Sequence, residues 1–141
     1  MLEITPLIKN FVKFATLGVT TEIIFTAVVA TLQSLQKQEK INWSLMGFSY
    51  IWMIPIYGSA AFLAPLILPH LEPFNMFIRM LIYGITILMV EYITGYIIRA
   101  ITGRCPWHYE SKWAIHNLIR LDFLPLWMFF GLVIEFFYLY F

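Results

Sequence analysis

Four stretches of this 141-residue chain are almost wholly apolar, and polar residues gather between them. A helix needs about 20 largely apolar residues to cross the hydrocarbon core. Residues 11–33, 47–68, 77–99 and 119–141 meet that length. The connections read "QSLQKQEKINWS" (33–44), "PHLEPFN" (69–75) and "TGRCPWHYESKWAIHN" (102–117). Two prolines in the second flank a tight turn. Apolar and polar positions do not alternate at period two, which speaks against a transmembrane barrel. The pattern predicts an all-α polytopic membrane protein, four transmembrane helices in a bundle, forming a single transmembrane domain over residues 1–141. A short internal echo pairs Trp52-Met53 with Trp127-Met128, Gly58 with Gly131 and Glu22 with Glu91. It would make the bundle two tandem helical hairpins in the same orientation, a parallel repeat.

Composition agrees. Hydrophobic residues make up 61% of the chain and charged residues 12%, against about 25% charged in a soluble domain, so too little polar surface remains to coat a globule in water. A net charge of +1 supplies no basic field, and no nucleic-acid partner is expected. The lone Cys105 excludes an intramolecular disulfide. Lys9 and Lys13 before an apolar run, with "VVAT" at 28–31, imitate a signal peptide, but Glu22 interrupts the run and the span is expected to be retained. Lys37, Lys40, Arg99, Arg104, Lys112 and Arg120 border the first and third connections, against Lys9, Lys13 and Arg79 on the other side. That asymmetry places both connections in the cytoplasm and both termini outside. The expected setting is the cell membrane, multi-pass, with membrane lipids as partners.

Three acids lie inside the apolar runs. Gly84, Leu88, Glu91, Gly95 and Ile98 fall at steps of three and four, on one helix face. Ala15, Gly18, Glu22 and Thr26 form a similar stripe, as do Leu124, Trp127, Gly131, Glu135 and Tyr138, with Arg120 one step earlier. Each glutamate has a glycine four residues away on its own face, and small-residue faces are where membrane helices pack. The acids are therefore expected to face the interior. A charge at bilayer centre costs roughly 2.5–3.5 kcal/mol, so each must be protonated, paired or hydrated. Two readings stand: a polar cavity for a cation, proton or headgroup, or hydrogen bonds that fix packing. Thr26, Tyr57, Tyr83, Thr94, Arg99 and Arg120 are the candidate partners. Glu135 lies close enough to the chain end to reach the interface. Pro55 and Pro125 are expected to interrupt the second and fourth helices, freeing carbonyls for a kink or a cavity.

The third connection concentrates the remaining chemistry. Cys105 and His108 form C-x-x-H, followed by His116 and Asp122. Zinc needs three or four tetrahedral ligands, and without a second paired motif no metal site is expected. A Cys–His nucleophilic pair needs a base within reach of the sulfur, which sequence cannot show. Trp107, Tyr109 and Trp113 read as an aromatic belt at headgroup depth, with Arg99, Arg104, Lys112 and Arg120 facing lipid phosphates.

The ordered blocks "SYIWMIPIYG", "EYITGYIIR", "CPWHYE" and "LIRLDFLPLWMFFGLVIE", spread over residues 45–136, resemble the "putative ABC-transporter type IV", permease-like family. These are small bacterial four-helix membrane proteins, and the family includes the animal transmembrane protein 229 proteins. Glu91, Gly95, Cys105, Pro106, Trp107, Tyr109, Arg120, Asp122, Trp127, Gly131 and Glu135 match its pattern. His108 and Glu110 stand where the family usually has Asp and Ser, and His116-Asn117 where it has Asn-Gly. The resemblance implies a transport role. No Walker-type glycine loop occurs here, so an ATPase would be a separate chain. The expected function is a permease-like component that binds a small ion, metabolite or lipid headgroup in a polar intramembrane site. Its candidate residues are Glu22, Glu91, Glu135, Arg120, Asp122 and Trp127, with Cys105, Trp107, His108 and Tyr109 in the loop. No cofactor is expected; a homo-oligomer or a separate partner subunit would complete a pathway. The alternatives are a membrane enzyme acting on lipid through Cys105, His108, His116 and Asp122, and a structural subunit of a membrane complex.

Overall fold

The computed structural model describes residues 4–37, 44 and 46–141. The elements are α1 (Ile4–Gln36), α2 (Met53–Gly58), α3 (Ala60–Leu71), α4 (Met76–Thr102), a two-stranded antiparallel ribbon of β1 (Ala114–Ile115) and β2 (Ile119–Arg120), a 3-10 turn (Leu121–Phe123) and α5 (Leu124–Tyr140). Four helical stretches are long and apolar enough to cross a membrane: Thr5–Gln36, Met53–Leu71, Met76–Thr102 and Leu121–Tyr140. The protein is thus an all-α polytopic membrane protein. Residues 38–43 and 45, with Lys40 of the charge asymmetry, lie outside the described residues. The chain divides into two compact units, Met1–Phe62 and Leu63–Phe141.

In the first unit α1 pairs with α2. Gly18 lies so close to Tyr57 that an added Cβ would collide with its ring, and Gly58 stands in the same relation to the Phe11 ring. The second span begins at Met53 and not at 47 as hydropathy suggests, because polar groups of α1 capture the backbone before it. The Thr26 hydroxyl accepts the Phe48 N–H at 2.9 Å and lies 3.0 Å from the Phe48 carbonyl. Ser49 bonds Glu22, and Gly47 presses against the Ile23 carbonyl. These contacts hold residues 46–50 out of helix. Pro55 is the third residue of α2, where a missing N–H costs no intrahelical bond, so it starts the helix and does not kink it. The interruption comes at Ser59, whose N–H is shared between the Pro55 and Ile56 carbonyls at 3.0 and 3.2 Å.

In the second unit α4 pairs with α5. Asn75 caps α4, its side chain accepting the Ile78 N–H at 3.0 Å. Gly103, at φ +80°, closes the helix with its N–H on the Arg99 carbonyl. The stripe Gly84, Leu88, Glu91, Gly95 and Ile98 is buried throughout. Gly84 receives Leu124 and Met128 of α5, and Gly131 receives Tyr83 of α4. Pro125 occupies the first turn of α5 and, like Pro55, begins its helix.

The third connection folds back onto α4. Trp107 and Leu118 are 4% and 1% exposed, and the Trp107 indole N–H donates to the Leu118 carbonyl at 2.9 Å. A Cβ on Gly95 would stand 3.0 Å from Trp107 and 3.2 Å from Leu118, so glycine is what admits the connection. Trp107 is therefore the core of the connection and not part of an aromatic belt, whereas Trp113 is 51% exposed. His116 and Asn117 adopt φ +50° and +61°, and the Leu118 N–H reaches the Ile115 carbonyl at 3.0 Å. That is a type I′ turn, the geometry Asn-Gly favours.

Candidate functional site

The sequence-derived candidates fall into separate groups. On α4, Glu91 is 7% exposed and accepts the Tyr109 hydroxyl at 2.8 Å on Oε1. Tyr109 is fixed from both sides: its N–H donates to the Asn117 carbonyl and its carbonyl accepts the Asn117 amide, at 3.1 and 3.0 Å. Its ring meets Phe123 edge-on, and the Arg120 guanidinium lies 4.2 Å from the Phe123 ring centre. Arg120 forks onto Asp122 at 3.1 and 2.5 Å, a bidentate pair about one-third exposed on each side. Glu91, Tyr109, Arg120 and Asp122 thus share one neighbourhood, built around Phe123.

Glu135 belongs elsewhere. It is 8% exposed, forms an ion pair with Arg79 and accepts the Tyr83 hydroxyl at 2.9 Å. Arg79 and Glu91 stand twelve positions apart on α4, about 18 Å along a helix, so the two acids occupy different levels. In the first unit Glu22 is half-buried and accepts the Ser49 hydroxyl at 2.7 Å, with Tyr57 as a second donor. Trp127 packs edge-on against Phe130, and its buried indole nitrogen has no hydrogen-bond partner among the described residues.

Of the loop candidates, Trp107 is buried with its indole on the Leu118 carbonyl, and Tyr109 donates its hydroxyl to Glu91. His108 is exposed and faces the exposed Glu110 at 3.7 Å. Burial pushes the Cys105 thiol above its usual range, with the nearby Arg99 charge opposing the shift. A nucleophilic cysteine needs the reverse, an environment that favours thiolate. Among the described residues, no group of three or more His, Cys, Asp and Glu side chains could hold a metal ion.

A family model described as "Putative ABC-transporter type IV" matches residues 9–141. The chain belongs to that family. The match extends the resemblance seen over residues 45–136 to nearly the whole chain. No solved structure matches the fold. For this member of the family, the residues that bring the acids into contact are only partly visible in the sequence. Tyr83 and Tyr57 were expected as partners. In the sequence Arg79 reads only as a flanking charge, and nothing marks Ser49. The antiparallel pairing of Gly84 with Met128 and of Tyr83 with Gly131 carries Arg79 to the level of Glu135, a relationship that a hairpin register would have exposed.

Proposed function

We propose that this protein is a membrane-embedded transport component, and that Glu91 with Tyr109 forms the polar site that holds a small ion or a cationic metabolite. The observation supporting this reading is a carboxylate 7% exposed on an apolar span, tied by a phenolic hydroxyl to the connection outside that span. Glu91 receives a hydroxyl, and a bound cation or a proton would relieve a burial cost on the order of 3 kcal/mol. Four spans make a small platform, so copies of this chain or a separate ATP-hydrolysing subunit would complete the pathway.

Thermal unfolding of the detergent-solubilised protein across sodium, potassium, magnesium, ammonium and choline salts tests the site. The expected result is stabilisation by one cation, absent in Glu91→Gln, since a ligand that binds only the folded state raises its stability. Identical responses of wild type and variant to every salt would leave Glu91 a packing residue.

A further inference from the structure

Within the second unit, a cavity of about 230 Å³ opens between the end of α4 and the third connection. Arg99, Arg104, Cys105, Trp107, His108, His116, Asn117 and Leu118 line it. The Glu91–Tyr109 side-chain bond lies outside this lining, which meets Tyr109 only through its backbone bonds to Asn117. We propose that this cavity is a phosphate-ester site, in which Arg99 and Arg104, with His108 and His116, hold the phosphate of an anionic lipid or of a soluble phosphate compound.

Three observations carry the assignment. The first is charge. Arg79 and Arg120 are engaged by Glu135 and Asp122, whereas Arg99 and Arg104 form no ion pair among the described residues. Arg99 spends one N–H on the His116 carbonyl at 3.1 Å. A guanidinium has five donors in a fork that fits phosphate oxygens, so four remain. The acids nearby are Glu110, which faces His108 from the exposed rim, and Glu91, whose charge is felt at Cys105; neither lines the cavity.

The second is construction. Trp107 and Leu118 form a buried floor locked by the indole hydrogen bond. Tyr92 holds the His116 ring through Nδ1 at 2.8 Å, and the left-handed turn at His116-Asn117 fixes the wall. The third is depth. Arg99 lies in the last turn of a 27-residue helix, about 40 Å long against a hydrocarbon core of about 30 Å. Tyr96 is half-exposed with Arg99 5.8 Å from its ring centre, and the exposed Trp113 of the third connection has Lys112 at 5.6 Å. Aromatic rings beside cations are the signature of the headgroup layer, and basic pockets at that level recognise lipid phosphates.

Native mass spectrometry of the full-length protein, released from detergent with equimolar phosphatidylglycerol and phosphatidylcholine, tests the site. Calorimetric titration with inorganic phosphate accompanies it. Wild type is expected to retain an anionic ligand, and Arg104→Gln to lower its retention at least tenfold. Lys112→Gln, a neighbouring cation outside the cavity, should change nothing. Because Arg99 also supports the turn, Arg104→Gln is the deciding variant. Phosphatidylglycerol that inorganic phosphate does not displace identifies a lipid site; displacement, or phosphate binding alone, identifies a soluble phosphate. Equal retention of both lipids together with no phosphate heat overturns the proposal. So does a loss in Lys112→Gln as large as that in Arg104→Gln, which would mean diffuse surface charge.

Discussion

Tyr109 donates its hydroxyl to Glu91 across 2.8 Å and so ties the third connection to the interior of the second unit. Ser49 does the same for Glu22 at 2.7 Å in the first. In both units the glutamate sits on the earlier helix of the packed pair, four residues from a close-packed glycine, Gly18 or Gly95. In both, the hydroxyl comes from the segment that feeds the following helix. The faint echo between Glu22 and Glu91 in the sequence therefore has a counterpart in hydrogen bonding.

Tyr109→Phe removes the donor and leaves a buried acceptor without it, at a cost of about 1–3 kcal/mol. Glu91→Gln is expected to cost less, since its amide oxygen still accepts the hydroxyl. Combined, the two changes should destabilise by less than the sum of the singles, because they share one bond. Denaturant titration of the four proteins in mixed micelles checks this; strict additivity would mean that the amide oxygen holds the hydroxyl as well as the carboxylate does.

Glu135→Gln strands Arg79. Breaking a fully buried pair from one side costs about 3–5 kcal/mol. The Arg79 side chain is 25% exposed, and solvent screening brings the expected loss to about 2 kcal/mol. Exchanging the two residues, Arg79→Glu with Glu135→Arg, should recover part of it. A double-mutant cycle on unfolding midpoints decides whether they are coupled.

At Asn117 the backbone stands at φ +61°, a conformation that costs most side chains about 1–2 kcal/mol and glycine almost nothing. Both Asn117→Ala and Asn117→Gly lose the amide bond to Tyr109. The alanine variant should therefore be the less stable by about 1 kcal/mol, a difference readable as a lower melting temperature in detergent.

Cys105 supplies a pH signature. Burial raises its thiol pKa in the folded protein, so the native chain keeps this proton where the unfolded chain, near pH 8.5, has begun to lose it. The associated stability is present below the unfolded value and fades as pH rises through the higher native one. Iodoacetamide labelling should accelerate at higher pH in native protein than in SDS-denatured protein. Arg99 opposes the shift, so Arg99→Gln should move the native curve higher still.

Much of this was legible from periodicity. The stripe from Gly84 to Ile98 follows from steps of three and four, and the structure buries every member. The start of the second span was not legible. "GFSYIW" is apolar enough for a helix, and the partners offered by Glu22 and Thr26 on another helix hold residues 46–50 out of one. Trp107 was misplaced for a similar reason. An indole beside charged residues looks interfacial until Gly95 and Leu118 are seen to enclose it. The departure from Asn-Gly at His116-Asn117 marked a turn position without disclosing its left-handed backbone. Composition reports what a residue prefers, while these positions are set by what a distant segment supplies.

The pairing of Arg79 with Glu135 also bears on the order of synthesis. Arg79 is translated with α4 and Glu135 only near the end of α5, so the arginine is made well before the carboxylate it pairs with. A long cation near a helix start can bend toward the headgroups while it waits. The last helix brings that partner, so closure of the second hairpin is the step that supplies the counter-charge of Arg79.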